Sequence, residues 1–170
     1  LRVLHRISGA GSSETHNTAP AVAAELSIVA FFFAMRSCEH TTTPNPGKTK
    51  KIDIGHVVFR DKHKRILPAE CTVHEADYVT LTFVDQKNGE KMDVRTQQRT
   101  VDDVLCPVKQ AHALGSRIRN TVPNLTDSTT LNTLRLAGKT VSISSKYLLR
   151  QIRQTCKACG GKKTFGFAPK

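Results

Sequence analysis

Apolar positions crowd most densely in "AELSIVAFFFAM", which runs from Ala24 to Met35 without Gly or Pro. With Pro20 suited to a first helical turn, the pattern predicts a helix over 21–35, apolar nearly all round after Leu26, as a buried helix is. Before it, residues 1–18 read as a short helix remnant, "LRVLHRI", followed by a polar Gly and Ser linker. After it, "TTTPNPGKTKK" is a loop by its prolines and glycine. The periodicity then shortens. Ile52, Ile54 and Val57–Phe59 predict a strand, and "DKHKR" a charged turn. "ADYVTLTFVD" alternates, and "EKMDVRTQQ" returns with Met92 and Val94 on one face. Asn88 and Gly89 between them signal a β-hairpin.

Helical spacing resumes at Pro107, with Val108, Ala111, Leu114 and Ile118 on one stripe. "LNTLRLAGKTVSI" reads as a short strand pair around Gly138. Ser144 or Ser145 caps a last helix, with Leu148, Leu149 and Ile152 on its buried face and Gly160 and Gly161 ending it. The fold class expected is α+β, mainly helical with a small three-stranded antiparallel sheet, in one domain spanning 19–170. No internal repeat is visible.

Composition changes this picture in three respects. An apolar content of 38% with 5% aromatic and no Trp is thin for a compact enzyme of 170 residues. Together with Leu1 in place of Met, it reads as a piece of a longer product. A net charge of +12 predicts attraction to polyanions, DNA above all. That charge is concentrated: from Cys106 onward twelve Lys and Arg stand against the single acid Asp127.

Five cysteines, odd in number and irregular in spacing, do not make a secreted disulfide framework and point to a reducing, intracellular setting. Cys156 and Cys159 form a CxxC, but neither a second CxxC nor a spaced His pair completes four zinc ligands. No metal and no small-molecule cofactor is therefore assigned. The apolar run is too short to span a membrane, holds Glu25 and stops at Arg36. It also lacks the basic start and cleavage site of a signal peptide.

The candidate chemistry is phosphate handling. Arg36 follows the apolar helix with Glu39 three residues on, a guanidinium with a carboxylate to aim it. Lys87 and Lys91 flank the hairpin turn, where a long mobile ammonium can reach a bound backbone and protonate a leaving oxygen. Arg150 and Arg153 on the last helix are candidate DNA contacts.

The order "FFFAMRSCE", a small sheet bearing "QKNGEK", then "VLCPVKQAHAL" resembles the first half of the catalytic domain of tyrosine recombinases, the phage-type integrases, in the form found in eukaryotic mobile elements. The resemblance covers roughly residues 20–170. It implies DNA strand exchange through a phosphotyrosyl link. Arg36 would stabilise the transition-state charge, Glu39 would support it, and Lys87, with Lys91 as the register alternative, would be general acid. It also implies a nuclear setting, DNA as partner and self-association on DNA of the full-length protein. The family's His-x-x-Arg is absent, since none of the seven histidines has Arg three residues later. Tyr78 and Tyr147, the only tyrosines, lie before the place of the family's nucleophile. Expected, then, is a DNA-binding front half without strand-transfer chemistry of its own. The alternatives are a non-enzymatic basic nucleic-acid-binding module and a degraded mobile-element relic.

Overall fold

The computed structural model describes residues 1–7, 18–45, 47–86 and 88–159. Its elements are α1 (Arg2–Ile7), α2 (Ala19–Phe32), α3 (Ser37–His40), β1 (Val57–Arg60), β2 (Tyr78–Asp85), β3 (Lys91–Gln98), α4 (Pro107–Thr121), β4 (Thr133–Leu136), β5 (Lys139–Ser142) and α5 (Ser145–Ala158). The class is α+β. β1, β2 and β3 form an antiparallel meander and β4 with β5 a separate hairpin.

α2 is the axis of the core. Thr18 caps it by accepting the Ala21 N–H, and every residue from Ala21 to Ala30 is buried, as an all-round apolar helix requires. It packs on α4, α1, α5 and β4. Leu26, Ile28 and Val29, each at most 1% exposed, contribute about 1.5–3 kcal/mol apiece by leaving water. α4 presents Val108, Ala111, Leu114 and Ile118 to this core, as its spacing predicts. α1 buries Leu4 against Ala21 and Ala24.

The predicted helix 21–35 ends earlier, at Phe32. Ala34 turns into the left-handed region (φ 50°), the Met35 N–H donates to the Ala30 carbonyl and the Ala34 N–H to that of Phe31. These are the two bonds of a Schellman stop, made here with Ala where Gly is usual. The predicted strand is also shorter. Ile52 is buried in an extended segment and Ile54 opens a one-turn 3-10 helix, Ile54–His56, both tied to residues 129–131: Ile54 N–H donates to the Thr129 carbonyl, and Leu131 N–H to that of Ile52. Only Val57–Arg60 joins the sheet.

In the sheet, Val57, Phe59, Val79, Leu81 and Phe83 point inward, while Met92 and Val94 do share a face but an outer one, 60% and 58% exposed. Their inward neighbours are polar. Arg95 lies over the Phe83 ring and donates to the Phe33 carbonyl at 3.1 Å, and Gln97 donates to that of Phe32 at 2.8 Å. β3 thus satisfies the carbonyls that the end of α2 leaves open.

β4 and β5 turn through Ala137 and Gly138, both at positive φ (46° and 79°), the geometry of a two-residue hairpin loop. On α5, capped by Ser144, only Leu148 of the expected buried set is covered. Leu149 and Ile152 are 42% and 38% exposed, because the helix leans on the body through Tyr147, Leu148, Gln151 and Thr155. Gly160 and Gly161, expected to end it, lie outside the described residues. Among the described residues no helix is long and apolar enough to cross a membrane.

Candidate nucleic-acid interface

Arg36 does not end α2, as its place after the apolar run suggests. The stop at Phe32–Met35 reverses the chain, and Arg36, in extended conformation, becomes the N-cap of the one-turn α3. Glu39, 3% exposed, holds this corner through its backbone: one carboxylate oxygen accepts the Arg36 N–H at 2.7 Å. The other stands 3.9 Å from the guanidinium, whose side chain remains 45% exposed. Glu39 therefore places the arginine by fixing its main chain, and leaves most of the guanidinium's donors facing outward.

His40 completes the corner. Its Nδ1–H donates to the Arg36 carbonyl at 2.8 Å. Burial pulls its imidazole below the ordinary histidine pKa, and that hydrogen bond only partly offsets the effect.

The segment 48–52 ties this corner to the sheet. Ile52 N–H donates to the Glu39 carbonyl at 2.9 Å, Lys50 N–H donates to the Asp85 carbonyl at 3.2 Å, and the Lys50 ammonium lies 3.8 Å from the Asp85 carboxylate. Asp85 is in turn the cross-strand partner of Lys91, at the base of the hairpin. The turn beyond closes through Gln86 and Gly89, the glycine at φ 85°. Lys87 lies outside the described residues. Arg36, Glu39 and the Lys91 end of the hairpin thus share one edge of the molecule.

Two adjoining clefts, of about 380 and 550 Å³, open along that edge and share Cys38, Thr43 and Thr49 as lining. Thr, Ser and Lys supply most of the lining residues, with Lys48, Lys50 and Lys51 beside the threonines. The Thr43 hydroxyl oxygen is buried and has no hydrogen-bond partner among the described residues, which leaves a donor to offer an anion. Asp53 is the one acid of the smaller cleft. Burial raises its pKa, against the opposing pull of His56, Lys51 and Lys50. In the sequence these lysines and hydroxyls read as loop. The signal was their density in "TTTPNPGKTKK", directly after Arg36 and Glu39.

α5 starts at the same edge. Thr42 N–H donates to the Ile143 carbonyl, Ser145 N–H to that of Thr42, and Ser145 lines the larger cleft. Arg150 and Arg153 lie farther along the helix, both exposed, and are not drawn into the Arg36 corner. They continue a stripe with Lys146 and Lys157, spaced four, three and four residues apart. The Arg150 guanidinium lies 5.1 Å from the centre of the Tyr147 ring. Tyr147 itself is a poor phenolate, because burial raises its pKa more than Arg150 lowers it.

Comparison of the chain with protein-family models, with curated proteins and with solved structures finds no match.

Proposed function

We propose that the chain binds the DNA backbone along the edge formed by Arg36, the lysine segment 48–51 and the base of the β2–β3 hairpin, as the front half of a tyrosine-recombinase-like catalytic domain. The observation that carries this reading is the pair of backbone bonds by which segment 48–52 joins the Glu39 corner to Asp85 at the hairpin. Two motifs about fifty residues apart in sequence thereby meet on one polar edge. Arg36 supplies a bidentate donor for a phosphate. Glu39 fixes its backbone, Lys91 adds positive charge at the base of the hairpin, and Lys87 is the hairpin lysine assigned as general acid toward a leaving 5′-oxygen. Arg150 and Arg153 extend the contact along α5. Cleavage is not assigned to these residues alone, because the second arginine motif and a nucleophilic tyrosine are absent from them.

The test is duplex binding by fluorescence anisotropy at two salt concentrations. Arg36→Ala is expected to weaken affinity about tenfold, which corresponds to loss of one charge-assisted phosphate contact. A second reading, a non-enzymatic basic module that binds through α5 alone, is favoured by the exposed stripe Lys146, Arg150, Arg153 and Lys157. Under that reading Arg36→Ala leaves affinity unchanged, whereas Arg150→Glu with Arg153→Glu abolishes it.

A further inference from the structure

We propose that Ser116 and His112 form a nucleophile and general-base pair in a cavity along α4, and that the pair hydrolyses small neutral esters. Both side chains line a cavity of about 500 Å³, within the range of small-molecule sites. Among the described residues it shares no lining with the two clefts beside Arg36, so the inference stands without the DNA reading. The two residues are four apart on α4, which puts them on one face with the serine leaning back toward the histidine.

The two ring nitrogens of His112 have distinct partners. Nε2 lies 2.7 Å from the Cys71 carbonyl, which can only accept, so Nε2 carries the hydrogen. In the neutral imidazole Nδ1 therefore holds the lone pair, and it stands 3.3 Å from the Ser116 hydroxyl, which donates to it. The Phe59 ring packs at 5.6 Å against the imidazole and steadies its plane. Hydroxyl, base in reach of it, and a group that orients the base are the three parts that activate a serine. Ser116 and His112 are each partly exposed, so the pair is open to a substrate.

The charges of the cavity select the substrate. Among the described lining residues Glu25 pairs with Arg117 and Asp103 with Lys109, so the acids and the Lys and Arg cancel and a neutral molecule is favoured over an anion. A backbone carbonyl steadies an imidazolium less than a carboxylate does, which suits an ester, with its better leaving group, over an amide. Ser116 Oγ bonds to the acyl carbon as its proton passes to His112 Nδ1. The bond to the alcohol oxygen breaks, and the alcohol leaves with that proton. Water then gives a proton to Nδ1 and its oxygen to the acyl carbon, and Ser116 Oγ departs and recovers the proton. Ester and water become acid and alcohol, with no change of oxidation state. Asn120, four residues beyond Ser116 and lining the same cavity, offers a carboxamide N–H to the oxyanion.

The experiment uses p-nitrophenyl butyrate as substrate and a fluorophosphonate as probe, on the purified chain. Expected is one fluorophosphonate per chain, mapped to Ser116 by peptide mass spectrometry, and saturable hydrolysis that the probe abolishes. Ser116→Ala should remove both with the circular dichroism spectrum unchanged. His112→Gln, whose amide N–H can still serve the Cys71 carbonyl, should lower kcat about 100-fold or more in a folded chain. Asn120→Ala should lower kcat about 100-fold with little change in KM. No labelling, labelling at other residues, hydrolysis that persists in Ser116→Ala, or an unaltered kcat in His112→Gln or Asn120→Ala would each overturn the inference.

Discussion

Arg117 of α4 and Glu25 of α2 meet fork to fork in the core, at 2.6 and 2.7 Å, with side chains 3% and 1% exposed. Both charges have left water, and each is tolerable only because the other is there. This pair locks the register of the two helices that contact each other most. Glu25→Leu or Arg117→Leu alone is expected to cost about 3–5 kcal/mol, whereas Glu25→Leu with Arg117→Met restores most of it. Urea unfolding of the two singles and the double variant decides this, and additive losses would contradict the pairing.

Ala34 occupies the left-handed region at the stop of α2, where a Cβ is strained by about 1–2 kcal/mol. Ala34→Gly relieves that strain while loosening the unfolded chain, for a net gain of about 0.5–1 kcal/mol. A higher denaturation midpoint is the expected result. A lower one would mean that the Ala34 side chain makes a contact worth more than the strain.

Arg95 and Gln97 look misplaced on the inward face of a strand until the end of α2 is considered. Their side chains serve the Phe33 and Phe32 carbonyls. Gln97→Val should cost about 1–2 kcal/mol despite its added apolar surface, because a carbonyl is left without its donor. Amide exchange at Ala34 and Met35 should accelerate in this variant, and unaltered exchange would argue against the cap.

His5 and His40 are both buried, and burial lowers both imidazole pKa values below 6.5. His5 faces Gln110 and His40 faces the Arg36 carbonyl. The folded chain thus binds these protons less readily than the unfolded chain. Stability is complete above the unfolded value and declines as pH drops from there toward the folded values, below which no further loss follows. Melting temperature should be lower at about pH 5.5 than at about pH 7.5, and His40→Gln with His5→Gln should flatten the difference. A profile unchanged in the double variant would assign the dependence to other groups.

DNA affinity should fall steeply with salt, by about 0.9 log units per log unit of salt for each phosphate neutralised. Reversal of Arg150 and Arg153 should reduce that slope by about two contacts' worth, and Arg36→Ala by about one. Binding that ignores salt would remove the electrostatic account of both surfaces.

The candidate site was half legible. Arg36, Glu39 and the hairpin lysines stand out as types, but that the Arg36 and Glu39 corner shares an edge with the Lys91 end of the hairpin depends on the Ile52 and Lys50 backbone bonds, which no local pattern encodes. Glu25 had a visible signal, a lone acid inside an apolar run, yet its partner lies ninety-two residues away. Lys48, Lys50 and Lys51 acquired meaning only when their loop lay against Asp85.

By itself, the sequence determined the kinds of element and their order, because helical and alternating spacing, Pro20, Pro107 and the Asn-Gly turn act within a few residues. It also determined the basic charge of the second half. Tertiary structure alone decided where α2 stops, that Arg36 begins a helix instead of ending one, and that Leu4 is covered while Leu149 and Ile152 are not. The reason is physical: amphipathic spacing says which residues can be buried together, but burial requires an opposing surface, and that surface comes from segments far away in the chain.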